Sequence, residues 1–304
     1  MVKNLQIVEG KLVECESAEA PVQVYIAPQG AERQYLLETL KIDEHTLASA
    51  LDPDELSRLE FEPEHAAIIL KRPKNYSSED QYLFRVLPAG LFLFKNRLVI
   101  VVPDDAPLFD GKLFGKVQTP GDLLLRLIYR MIFHFEAHLK IINAISTELE
   151  GAINTSMQNE SLLNLFTLEK SLVYYVNAIH SNGTVMEKIR TNAARLGLGP
   201  ESVEMLDDIV IENSQCLKQA DIYSNILASL MDARASIVSN NLNILIKKLN
   251  IITIIIMAPT LVVSIFSMNV VFPLRDHPNA FWLILAMAVG SSFLIWLFWR
   301  YKKL

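Results

Sequence analysis

The chain has 304 residues, 51% of them apolar, and a formal net charge of −6 from 28 Lys/Arg and 34 Asp/Glu. That acidic balance argues against nucleic acid as a partner, and two cysteines, Cys15 and Cys216, are too few and too far apart for a thiolate metal site or a disulfide framework. The apolar residues are too unevenly spread for an ordinary soluble protein, because two uncharged stretches, 26 residues at 249–274 and 22 at 278–299, lie close to the C-terminal end.

The N-terminal stretch MVKNLQIVEGKLVECESAEA has no continuous apolar run and carries Glu9, Glu14, Glu16 and Glu19, so it does not read as a secretory signal and is expected in the cytoplasm. Short, partly β-branched apolar runs follow, VQVYI at 22–26, AAIIL at 66–70, LFRVL at 83–87 and RLVIVV at 97–102, separated by Pro and Gly as strands are. Between them ERQYLLETL and DPDELSRLEF read as helices, the second starting from Asp52 as N-cap with Pro53 in the first helical position. Residues 1–118 are therefore expected to form a cytoplasmic α/β domain.

From Thr119 apolar residues recur every three or four positions with no proline after Pro120, which predicts a long amphipathic helix. A second helical stretch at 161–196 follows a polar break and returns antiparallel, ended by GLGP at 197–200, so 119–200 is expected to be a helical hairpin. Within it His134 and His138 stand four apart with Glu136 between them. The order is not HExxH, and two ligands do not make a metal centre, so they are read as packing or surface histidines. No nucleophile–base pair, phosphate loop or dinucleotide motif is present, and the chain is not read as an enzyme.

Residues 201–268 contain no glycine, and Pro259 is their only proline, so one helix at 201–269, on the order of 100 Å long at ~1.5 Å per residue, is expected as a stalk continuing into a first membrane span. Each uncharged run is long enough to cross ~30 Å of hydrocarbon. An external loop at 270–279, a second span at 280–299 and a basic tail at 300–304 complete the chain. Lys247 and Lys248 precede the first span, and Arg300, Lys302 and Lys303 follow the second, while Arg275 and Asp276 cancel in the loop. The positive-inside rule then places both termini in the cytoplasm of a multi-pass protein of the cell (inner) membrane, with Trp282 near the outer interface and Trp296 and Trp299 near the inner one. Residues 247–304 carry six Lys/Arg and one Asp, which leaves −11 on residues 1–246, a surface attractive to cations.

One face of the long helix, followed at steps of three and four, reads Asn225, Ser229, Asp232, Ser236, Ser239, Asn243, Ile246, Asn250, Thr253, Met257, Thr260, Ser264, Ser267. In the cytoplasmic half a solvated face explains it equally well. Within the bilayer Asn250, Thr253, Thr260, Ser264 and Ser267 need another helix or an aqueous path. Two spans cannot enclose a pore, so the stripe implies closed cyclic self-association. In such a ring Asp232 becomes a circle of carboxylates at the cytoplasmic mouth, and Ile246, Leu249 and Met257 become apolar constrictions.

The segment APTLVVSIFSMNVVFPL at 258–274 resembles the end of the first transmembrane helix of the CorA family of magnesium and divalent-cation channels, where a GMN motif follows an aromatic residue; here Phe266 precedes Ser267, Met268 and Asn269. Asn243, Leu249, Met257 and Thr260 stand at the offsets from Asn269 where that family has pore-facing residues. The resemblance implies a funnel-shaped homopentamer that conducts Mg²⁺, and with it cobalt or nickel, without ATP or a prosthetic group. It also implies a selectivity filter at Ser267, Met268 and Asn269, and closure by intracellular Mg²⁺ at intersubunit acidic sites, to one of which Asp208 corresponds. Glu201, Glu204, Asp207 and Glu212 surround Asp208, and a solvated acidic face is the alternative reading there. Two departures stand out: Ser267 replaces the glycine, and VFPLRDHP replaces a loop that often carries a glutamate, leaving Asp276 as the nearest acid. The alternatives are a zinc transporter of the same superfamily and a membrane-anchored Mg²⁺ sensor that does not conduct.

Overall fold

The computed structural model describes residues 1–17, 19–155, 159–270 and 277–302. They divide into two compact units, 1–231 and 232–304.

The first unit is built on strands β1 (Val2–Val8), β2 (Lys11–Glu14), β3 (Val22–Ile26), β4 (Arg58–Phe61), β5 (His65–Pro73), β6 (Val86–Phe94) and β7 (Leu98–Val102). They form one seven-stranded sheet in the order β2-β1-β3-β7-β6-β5-β4, in which only β3 and β7 run parallel. Short helices α1 (Ala31–Gln34) and α2 (Glu44–Ser49) cover one face, the long α3 (Pro120–Thr155) and α4 (Asn159–Thr191) cover the other, and the first part of α5 (Pro200–Phe266) joins the same core against those helices. Along β7, Leu98, Ile100 and Val102 join the core under the long helices, while Val99 and Val101 join the smaller core with Leu36, Ile42 and Leu47. With both faces covered, the central strands are continuous apolar runs rather than alternating ones.

Local details depart from the sequence expectation. DPDELSRLEF is not a helix: the Asp52 carboxylate accepts from the Asp54 N–H at 2.9 Å in a turn, and Arg58–Phe61 pairs with β5 instead. The helix of this region is α2, capped by Asp43, whose carboxylate accepts from the Thr46 N–H at 3.1 Å. Of LFRVL only Val86 and Leu87 lie in a strand, and β6 continues through Pro88 and Gly90. Gly90 is required by packing, since a Cβ there would sit 2.5 Å from the Ala50 Cβ. The hairpin β1–β2 turns on Glu9 and Gly10, with φ +48° and +78°, the paired left-handed conformations of a two-residue type I′ turn.

Beyond the end of β4 the strand edge of β5 is completed by a side chain. Asn182 of α4 accepts from the Lys71 N–H and donates to the Lys71 carbonyl, both at 2.8 Å, as a neighbouring strand would. α4 ends at Thr191, five residues before the expected Leu196, in a turn that closes on Gly197 at φ +70°.

The second unit consists of the remainder of α5 and α6 (Ala280–Lys302). Both helices are long and apolar enough to cross a membrane.

Candidate functional site

α5 is continuous over 67 residues despite Pro259. A proline inside a helix has no N–H to give the carbonyl four residues back, here that of Ile255. The Ser292 hydroxyl of α6 donates to that carbonyl at 3.2 Å, a repair that a membrane span needs and water cannot supply. Ser292 was not singled out from the sequence; the signal available was a proline in one span opposite the Ser291–Ser292 pair in the other.

This hydrogen bond identifies the side of α5 that faces α6. Ile251, Ile255, Ala258, Pro259, Val262 and Phe266, spaced by three and four, are the half-buried positions of that side, and Ala288 is the buried residue of α6. Asn243, Ile246, Asn250, Thr253, Met257, Thr260 and Ser264 lie about 180° around the helix, at 3.6 residues per turn, and are exposed. Packing within the α5–α6 hairpin therefore does not use the polar face.

The two threonine hydroxyls of that face share one orientation. Thr253 donates to the Leu249 carbonyl at 2.9 Å and Thr260 to the Ile256 carbonyl at 2.8 Å. Each proton is thereby held by the helix, and the oxygen lone pairs remain available as acceptors. Along the same face Ile246, Leu249 and Met257 are 46, 63 and 63% exposed, apolar side chains left uncovered among polar ones.

α5 ends at Phe266, and Ser267, Met268 and Asn269 follow as an exposed turn and bends. Ser267 closes the helix: its N–H donates to the Val263 carbonyl at 3.0 Å and its hydroxyl to the Ser264 carbonyl at 2.9 Å. Ser267 is not among the described residues with positive φ, so a side chain is accommodated here without left-handed strain. Arg275 and Asp276 of the loop and residues 303 and 304 of the tail lie outside the described residues.

In the first unit Asp208 is exposed on α5, and Asp207 beside it reaches Arg190 at 3.6 Å. Burial and then the charges of Glu212, Asp208 and Glu136 push the Tyr129 hydroxyl pKa up, so these carboxylates converge on one part of the α3–α5 surface. Among the described residues no three His, Cys, Asp or Glu side chains form a metal-binding group. Asp232 begins the second unit, exposed, with its carbonyl accepting from the Ser236 hydroxyl at 3.2 Å.

His134 and His138 turn inward. Their Nε2 atoms lie 3.1 Å apart, and His138 Nδ1 lies 2.7 Å from the Tyr175 hydroxyl, so three of the four ring nitrogens are engaged with one another and with α4. Burial, then His138, Arg130 and Arg72, lower His134 to about 3, and burial lowers His138 to about 4.

A model of the family described as CorA-like Mg²⁺ transporter protein matches residues 24–302. The cobalt/magnesium transport protein CorA of Methanocaldococcus jannaschii is 25% identical over 303 residues, covering 95% of this chain and 93% of its own. Among solved structures, the complete CorA magnesium transporter from the same organism aligns with a TM-score of 0.79 at 21% identity, over 98% of this chain and 96% of its own. The full-length CmaX protein aligns at 0.75 with 13% identity, over 100% of this chain and 97% of its own. The ZntB cytoplasmic domain from Vibrio parahaemolyticus aligns at 0.58 with 12% identity, over 78% and 98%.

Proposed function

The chain belongs to the CorA-like Mg²⁺ transporter family, and from that premise we propose that it assembles as a homopentameric funnel conducting hydrated divalent cations into the cytoplasm, Mg²⁺ first and Co²⁺ or Ni²⁺ with it. The observation that carries this reading is the acceptor-bearing face of α5 turned away from α6. Mg²⁺ gives up water reluctantly, and the shell it keeps presents only O–H donors. Hydroxyl lone pairs at Thr253 and Thr260, with amide oxygens at Asn243 and Asn269, suit such an ion without the cost of stripping it.

In this reading Ser267, Met268 and Asn269 form the outer filter, and Ile246, Leu249 and Met257 form constrictions that close by dewetting. Asp232 gathers cations at the inner mouth. The serine replaces the family's glycine without backbone strain and satisfies the last-turn carbonyl of Ser264 with its own hydroxyl. Residues 1–118 and 119–200 and the stalk lie in the cytoplasm, with 201–269 and 280–299 supplying stalk and spans, 270–279 the external loop and 300–304 an inner basic tail. Asp208 holds regulatory Mg²⁺ jointly with a neighbouring copy, which supplies the ligands one chain lacks.

The test is Mg²⁺ entry into liposomes loaded with a magnesium-sensitive dye, compared with Asn269→Ala and with Zn²⁺ in place of Mg²⁺. Saturable Mg²⁺ entry that disappears in the variant supports the channel and its filter. Zn²⁺ entry alone selects the zinc transporter, and no flux of either ion from inserted, folded protein selects the sensor.

A further inference from the structure

A cavity of about 360 Å³ opens in the 1–231 unit between the turn at 53–56, the start of β6 and α4. Small-molecule sites run from roughly 300 Å³ upward, so a mononucleotide-sized molecule fits. Lys71 lies in its wall with 6% of its surface exposed. Among the described residues its ammonium makes one hydrogen bond, to the Pro53 carbonyl at 2.5 Å, and no ion pair. An ammonium has three donors, and burying a charge with its donors unspent is costly.

The surrounding carboxylates do not relieve it. Glu55 is engaged by Arg58 at 2.9 Å. Burial still lowers the Lys71 pKa even though Asp52, Asp54 and Glu55 oppose that shift. Lys170 and Arg85 line the same cavity and add two exposed positive charges. Beside these cations Leu83, Val86 and Leu87 make an apolar wall, and Tyr174, 51% exposed, offers a ring face. Asp54 and Glu55 also line the cavity, but Glu55 is held by Arg58 and the three cations outnumber the two carboxylates, so the lining favours an anion; the apolar wall exceeds what an inorganic anion would use.

We propose that this cavity binds a small organic anion, an aliphatic or aromatic body bearing one phosphate or carboxylate, with the anionic group on Lys71 and Lys170 and the body against Leu83, Leu87 and Tyr174. Asn182 holds the Lys71 N–H and carbonyl and the Pro53 carbonyl holds its ammonium, so the charge is in place before the ligand arrives. The site is independent of the conduction reading, since all its residues belong to the first unit.

The experiment is calorimetric titration of the full-length protein in lipid nanodiscs, in EDTA, with adenosine 5′-monophosphate, benzoate and hexanoate. Inorganic phosphate and adenosine serve as the two halves of the first probe. At least one of the three probes binds saturably, once per chain, and adenosine monophosphate binds about tenfold tighter than either half. Lys71→Met weakens binding about tenfold, the loss of one charge-assisted contact. The surface pair Lys170→Ala/Arg85→Ala weakens it about threefold, as exposed charges do, and keeps the test valid if the Lys71 variant fails to fold. Absence of saturable binding by all three probes, or affinities unchanged in the surface pair and in folded Lys71→Met, overturns the proposal.

Discussion

Within α5 the buried positions Leu206, Ile209, Asn213, Cys216, Ala220 and Leu227 recur mostly at three- and four-residue steps and then stop. From Asp232 to Phe266 the same helix has no buried residue, although Ile, Leu, Val and Met dominate it. The first stretch has its partners in its own chain, where α3 and α4 close over an apolar seam. Among the described residues the second packs against α6 on one side and leaves most of its other side chains exposed, so its stability and role depend on surroundings beyond one chain. An apolar surface of that extent wants lipid or other copies, and the polar face among it wants another helix or an aqueous path.

Substitutions that separate the two stretches test this contrast. Ile209→Asp places a carboxylate in the seam and is expected to cost more than about 4 kcal/mol, enough to unfold the first unit. Ile246→Asp, on the uncovered stretch, leaves that unit's unfolding within about 0.5 kcal/mol of wild type and alters ion flux instead. In a Tyr301→Phe background, which leaves every tyrosine in the first unit, near-UV circular dichroism of the tyrosines follows that unit, and the fluorescence of Trp282, Trp296 and Trp299, all in α6, follows the second.

Acid should divide the units next. The unfolded chain protonates its histidines below pH 6.5, whereas the folded chain holds His134 and His138 neutral down to about 3 and about 4. Their contribution is therefore intact above pH 6.5 and is lost as pH falls, by up to about 2.7 kcal/mol per pH unit between about pH 6 and 5. The tyrosine signal of the first unit melts at lower temperature over that range. His134→Gln/His138→Gln flattens the profile, and a profile unchanged by the double variant contradicts the assignment.

Asn182→Ala strips the β5 edge of its two 2.8 Å partners and is expected to cost about 2 kcal/mol in urea unfolding of the first unit. The smallest effect belongs to the second unit. Ser292→Ala frees the Ile255 carbonyl and costs about 0.6 kcal/mol, as hydrogen bonds within membranes do, and the loss vanishes in a Pro259→Ala background where the backbone N–H returns.

The sequence carried the fold unevenly. The runs at 22–26 and 97–102 were legible as strands because their β-branched apolar residues are bounded by turn residues, and the long helices were legible from their three-and-four spacing. β6 was read short because Pro88 and Gly90 look like breaks, whereas Gly90 is demanded by Ala50, just past the end of α2 and forty residues earlier. DPDELSRLEF carried real helix signals that lost to pairing with β5, a tertiary preference with no local trace. The polar face of α5 was legible because its spacing is local. Which side α6 would take was not, since that depends on the Ser292–Ile255 contact across 37 residues. Lys71 gave no signal, because one lysine within an apolar strand reads as its solvent-facing position.

The most direct measurement is aqueous thiol labelling of single cysteines along α5, in a background lacking Cys15 and Cys216, with ion flux recorded before and after. Cysteine at Thr253, Met257, Thr260 and Ser264 is expected to react with a charged methanethiosulfonate reagent and to lose flux, while cysteine at Ile251, Ile255 and Val262 stays unmodified. Equal labelling of both sets, or labelling confined to the α6-facing set, would contradict a water-filled path along the polar face.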